Sequence, residues 1–352
     1  MPGFSTAMAA ALALCGAPGA AGGEPEPAAG REAEPEDQAT WVDDSHALVE
    51  RGIAELSERL DRFFADERRL DAEPGGRLLW RNELRLPSVH SPTARTAVRA
   101  DLRLPAAAGW LGKARLVVSG ETSPSAAAAP GEDPAVPALS PAFAAERAAL
   151  ELRLGLLRTA GTVADVGSGV RLRLPPEPFV RARLRRRQPL GLGVEARASP
   201  ALFWTGREGF GVSLGLDVDR PLGARTLLRW ANGASLTGVS RGVEWYSEAG
   251  ALHEFDPGRA ALYLAGSAAG TTRPEPRTNL YRLFVRLRRG VYAHWLFAEV
   301  EPSLEWPLEE LAGPPRPAGL PAPLERWRVF AVTLRLDVRF DSRAAEVVRQ
   351  EP

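Results

Sequence analysis

Trp327 to Phe340 reads WRVFAVTLRLDVRF. From Phe330 onward every second residue is large and apolar: Phe330, Val332, Leu334, Leu336, Val338 and Phe340. The residues between them, Ala331, Thr333, Arg335, Asp337 and Arg339, are small or charged. A helix would scatter both sets around its circumference, whereas an extended strand places each set on its own face. The same alternation recurs upstream. Val98, Ala100 and Leu102 alternate with Arg99, Asp101 and Arg103, and Phe210, Val212, Leu214, Leu216 and Val218 alternate with Gly211, Ser213, Gly215, Asp217 and Asp219.

Working outward from that stretch, candidate strands are Arg77–Leu86, Ala94–Leu104, Gly112–Glu121, Glu146–Leu157, Val163–Leu174, Phe179–Arg187 and Leu190–Ala198. The series continues with Glu208–Asp219, Ala224–Gly233, Gly242–Leu252, Arg259–Ala269, Asn279–Arg289, Trp295–Glu305 and Trp327–Phe340. Most have the length of about ten residues with which a tilted strand crosses a bilayer. Their connections alternate. Short ones such as Gln188–Pro189 and Arg220–Gly223 follow the even strands, while longer ones, Thr122–Ala145, Ser199–Arg207 and Trp306–Arg326, follow the odd strands. Outer-membrane barrels alternate short periplasmic turns with longer external loops in this way. The expected fold is therefore all-β: a transmembrane antiparallel up-and-down β-barrel of about 12–16 strands over 77–341, with a tail over 342–352. Trp80, Trp110, Trp204, Trp295, Trp306 and Trp327 fall near strand ends, as an interfacial girdle requires.

Composition agrees. The 44 basic residues balance the 44 acidic ones, which leaves no net field to hold nucleic acid. The 34 glycines and 31 prolines favour turns over helices. A mean hydropathy of −0.17 is compatible with a barrel, because only alternate residues need face lipid.

Before the barrel, Met8–Ala21 is a short apolar run ending in small residues, which reads as a signal peptide over 1–21. The segment Leu12-Ala13-Leu14-Cys15 also looks like a lipoprotein box, although Leu14 stands where a small residue is expected. Residues 22–40, rich in Pro, Glu, Ala and Gly, read as a disordered linker. Within 41–70, Val49, Ile53, Leu56, Leu60 and Phe63 or Phe64 recur at spacings of three and four, predicting a short amphipathic periplasmic helix over about Ser45–Ala65. It could plug the barrel, pack across its mouth or dock a periplasmic partner.

Enzyme motifs are weak. Gly211-Val212-Ser213-Leu214-Gly215 matches a nucleophile elbow, but it sits inside an unbroken strand pattern with no helix after it. The histidines, His46, His90, His253 and His294, form no metal-ligand spacing. No catalytic residue, cofactor or metal is expected. The polar parity instead places Arg153, Arg171, Arg173, Arg181, Arg183, Arg185, Arg197, Arg282, Arg286, Arg335 and Arg339 in the lumen. Glu151, Asp165, Glu195, Asp217, Glu299 and Asp337 share that face. Such a lumen is either an aqueous pore that favours anions or a ladder of ion pairs that braces the interior.

The stretch Trp295–Pro307, WLFAEVEPSLEWP, taken with Trp41-Val42-Asp43 and Asp61-Arg62-Phe63-Phe64, resembles a group of predicted proteobacterial outer-membrane, porin-like proteins without an assigned activity. The resemblance implies location and fold. The expected function is a passive outer-membrane pore for small polar solutes, with anions as the candidate class, outer-membrane lipid as surroundings and no nucleic-acid partner. A structural envelope protein with a partner-docking helix is the second expectation, and a membrane hydrolase the third.

Overall fold

The computed structural model describes residues 59–60, 63–64, 77–103, 114–122, 148–159, 161–172, 174–191, 193–240, 242–292, 295–310 and 324–341. The strands in chain order are β1 (Arg77–Pro87), β2 (Thr93–Arg103), β3 (Ala114–Thr122), β4 (Ala148–Arg158), β5 (Thr162–Arg171), β6 (Glu177–Gly191), β7 (Val194–Thr205) and β8 (Gly209–Pro221). They continue with β9 (Thr226–Thr237), β10 (Glu244–Asp256), β11 (Ala260–Thr271), β12 (Arg277–Tyr292), β13 (Leu296–Glu310), β14 (Leu324–Arg326) and β15 (Val329–Asp341).

Each strand from β1 to β13 pairs antiparallel with its sequence neighbour, and β13 pairs in turn with β15. The last strand then closes on the first, in register from Arg77↔Asp341 to Pro87↔Ala331. The short β14 pairs only with β13, so the other fourteen of the 15 strands form a closed barrel. Closure satisfies the edge N–H and C=O groups that an open sheet would leave unpaired.

Parity sorts the side chains as expected. Phe330, Leu334, Leu336 and Phe340 point outward and are exposed, while Ala331, Thr333 and Asp337 point inward and are buried. The same division holds on β8, where Phe210 is 80% exposed and Ser213 and Asp219 are buried. A tight turn joins β10 to β11 at the end where β1 begins. In Asp256-Pro257-Gly258-Arg259 the Arg259 amide donates to the Asp256 carbonyl at 2.9 Å, and Gly258 takes a φ of 72°. Proline presets the first central position, and glycine supplies the left-handed second one.

Three inward glycines lie under cross-strand rings. Gly169 faces Phe179, Gly211 faces Phe203 and Gly233 faces Tyr246 in register. A Cβ at any of the three would fall within contact distance of, or inside, the ring opposite. The rings therefore lie against the wall over the space the glycines leave.

Several expectations are corrected. The expected helix is not established as an element. Of 41–70 only Arg59, Leu60, Phe63 and Phe64 are described, and the remainder lies outside the described residues, as do 1–21, 22–40 and 342–352. The expected turn at Gln188–Pro189 is strand, because β6 runs on to Gly191. Pro189 sits at the end of the strand, where a missing N–H is tolerated. The expected loop Ser199–Arg207 is mostly strand as well. Ser199 to Thr205 pair with Gly209 to Gly215, and the connection shrinks to 206–208. The contrast between short turns and long loops is thus weaker than the sequence suggested. The strand β14 was not anticipated.

Replacing Gly233 with Val should displace the Tyr246 ring and destabilise the barrel by about 1–3 kcal/mol, an overpacking cost. The cost should fall in the Gly233→Val/Tyr246→Ala double variant. Denaturant unfolding of the single and double variants in detergent checks the coupling.

Candidate functional site

The barrel lumen gathers the charged parity of most strands, β11 being uncharged. On one arc, Glu151 of β4 accepts from Arg153 at 3.1 Å and from Arg181 of β6. Asp165 of β5 lies 3.1 Å from Arg183, 3.3 Å from Arg185 and 3.7 Å from Arg153. Arg171 approaches Glu177 at 3.7 Å. On β7, Arg197 bonds Glu195 at 2.9 Å and reaches Asp219 of β8, which also accepts from Arg229 of β9 at 2.8 Å.

A second network closes the seam between β12, β13, β15 and β1. Glu301 is fully buried and takes donors from Arg282, Arg286 and Arg335. Glu299 lies within ion-pair distance of Arg286, Arg288 and Arg335. Asp337 accepts both arms of Arg81 at 2.8 and 3.0 Å and pairs with Arg288 at 2.7 Å. Arg335 reaches Glu83 at 2.6 Å, and Arg85 reaches Glu305 at 2.7 Å. Forked guanidinium–carboxylate contacts of this kind are charge-assisted and directional. Arg288, Glu301 and Asp337 are 0% exposed, so this side of the lumen is packed.

The described part of the N-terminal segment lies within the barrel. Leu60, Phe63 and Phe64 are buried in one apolar cluster with Leu227, Leu252, Tyr263, Phe284 and Phe297 of β9 to β13. The Phe63 ring meets Phe297 edge-on at 5.7 Å, and Phe64 meets Tyr263 at 6.2 Å. Arg59 pairs at 2.8 Å with the fully buried Glu254, and Arg339 donates to the Phe63 carbonyl at 2.7 Å. The apolar stripe thus has an occupant for at least this face: the inner wall itself.

Of the expected lumen residues, Arg153, Arg171, Arg181, Arg183, Arg185, Arg197, Arg282, Arg286, Arg335, Arg339, Glu151, Asp165, Glu195, Glu299 and Asp337 all belong to these contacts. Asp217 also faces inward, on β8, and Arg173 lies outside the described residues. The sequence reading missed Arg81, Glu83, Arg85, Arg229, Arg288, Glu301 and Glu305. All share the inward parity of their strands, so the signal was present. Ser213 sits mid-strand in β8 opposite Ala201 and Ser235, an extended setting rather than an elbow. His46 and His294 lie outside the described residues, and His253 bonds Thr226 on the outward face at 2.9 Å.

No protein-family model matches the chain, and no curated protein matches it either. Among solved structures it is similar to OmpT, an outer-membrane protein of Vibrio cholerae, at 8% identity over 75% of this chain and 96% of that one, with a TM-score of 0.43. It is similar also to the outer-membrane channel DcaP of Acinetobacter baumannii, at 8% identity over 75% and 96%, TM-score 0.42. An anion-selective porin from Comamonas acidovorans gives 8% identity over 75% and 98%, TM-score 0.44. The barrel assignment rests on the strand pairing and not on these likenesses.

Glu301→Gln should cost about 3–5 kcal/mol, because it leaves three buried guanidiniums short of their shared carboxylate. Unfolding in denaturant reads the loss, and a midpoint equal to that of the parent protein would contradict the network's role.

Proposed function

We propose that the chain is a bacterial outer-membrane β-barrel acting as a passive, porin-like pore for small polar solutes, without enzymatic activity. One observation carries the reading: a closed barrel exposes its apolar parity and keeps its charged parity inside. A water-soluble sheet would hide that outer set against a second layer. Among the described residues, Leu202, at 65% exposure, and Phe210, at 80%, have no such cover. Outward polar groups support the same surroundings. Trp230 donates its indole N–H to Ser247 at 3.0 Å, and the Thr96 hydroxyl donates to Asn82 at 3.0 Å, both on the outer face. In hydrocarbon an unpaired polar group is costly, so partners within the wall are required.

Tryptophans mark both rims. Trp204, Trp306 and Trp327 lie at one end, while Trp80 and Trp295 lie at the other, where the chain enters β1. Trp110 lies outside the described residues. The reading of a scaffold with a docking helix needs an accessible apolar stripe. Three residues of that stripe, Leu60, Phe63 and Phe64, are buried against the barrel wall, which favours the pore.

In a planar lipid bilayer the purified full chain should produce stepwise current, and correctly folded protein that inserts without current would remove the pore reading. The lipid exposure of the outer face has its own check. Leu334 lies at mid-strand on that face, and Leu334→Arg should cost about 2–4 kcal/mol, the penalty for Arg at the midplane of a bilayer. The fraction showing heat-modifiable gel mobility after refolding into vesicles should drop accordingly. Equal refolding of variant and parent would contradict a hydrocarbon setting.

A further inference from the structure

The lumen is not electrically or sterically uniform. We propose that solute passage is confined to the arc of wall formed by β4, β5 and β6, and that this lane takes small inorganic or carboxylate anions. The proposal rests on the pore reading above and names its solute class.

Three observations point to it. First, the described residues of the N-terminal segment lie on the other side. Its described residues pack with Leu227, Leu252, Tyr263, Phe284 and Phe297, all from β9 to β13, and the cluster takes no residue from β4 to β6. Second, Arg187 of β6 has a side chain 33% exposed to the lumen, more than Arg81 and Arg286 of the seam network at 22% and 21%. Third, charge is unevenly divided. Alternate inward positions of β6 carry Arg181, Arg183, Arg185 and Arg187, and the neighbouring inward positions of β4 and β5 add Arg153 and Arg171. Facing them on the same three strands are the carboxylates of Glu151, Asp165 and Glu177 alone, so arginine is in excess. The inward face of β10 has the opposite bias, with Glu244, Glu248 and Glu254 and no basic residue.

The chemistry of the lane follows from the guanidinium group. Its several N–H donors are arranged for planar oxyanions and halide, and arginine-lined passages select against cations. The N-terminal segment contributes by covering the acidic side. Arg59 neutralises Glu254 there, and the phenyl rings of Phe63 and Phe64 lie over the β11 to β13 wall.

The test is the zero-current potential of the full chain in a planar bilayer under a potassium chloride gradient. The parent protein should show a chloride-to-potassium permeability ratio above unity. Arg185→Gln/Arg187→Gln should bring that ratio down to about unity while current persists. Arg187→Gln alone, at the more exposed position, should give a smaller shift in the same direction and guards against misfolding of the double variant. Arg59→Gln should lower the anion preference, because it uncovers the Glu254 carboxylate on the acidic wall of β10. A conducting parent without anion preference, or one whose ratio ignores both β6 variants, overturns the lane and leaves the pore standing. Absence of any current from correctly folded parent overturns the pore, and the lane with it.

Discussion

Closure of the hydrogen-bonded ring is the constraint from which the other features follow. Because β15 returns to pair with β1 along its length, no strand of the ring keeps a free edge and every side chain is assigned to one of two faces. The outer face can then be apolar without a second sheet to cover it. The inner face must absorb whatever charge the alternation delivers. A slip of one residue at any pairing would move arginines outward and leucines inward, so the register is strongly determined.

The inner face handles its charge by dense pairing. Glu301, Glu299 and Asp337 each serve more than one guanidinium, and the partners come from strands far apart in sequence, as with Arg335 and Glu83. Pairs of this kind contribute less to net stability than their geometry suggests, because desolvation offsets attraction, yet losing one member is costly. They fix the relative positions of first and last strands at the seam where β15 meets β1. The N-terminal segment uses the same surface. Its rings cover aromatic residues of β11 to β13, while Arg339 and Glu254 tie down its polar atoms.

Much of the barrel was legible in the sequence because parity is a local property. Phe330 to Phe340 can be read without knowing any other strand, and so can the inward placement of Arg181, Arg183 and Arg282. Partnerships were not legible. Nothing in Trp327–Phe340 says that Arg335 will meet Glu83, because that contact exists only once the ring has closed. The stripe containing Leu60, Phe63 and Phe64 was visible as apolar, but its destination inside the lumen depends on a cavity built by residues more than a hundred positions later. Pro189 and Pro200 misled in the opposite direction. Each reads locally as a chain reversal, yet tertiary pairing carries β6 and β7 through both.

The glycines beneath Phe179, Phe203 and Tyr246 bear on the calibre of the tube. A ring laid flat over a missing side chain adds bulk to the lining without reducing the bore, much as a recessed shutter leaves a window clear. Clearance at these points is therefore a property of residue pairs. Either member changed alone would tip a ring toward the axis or leave a hollow, so widening or narrowing the lumen by evolution would proceed through coordinated exchanges across neighbouring strands.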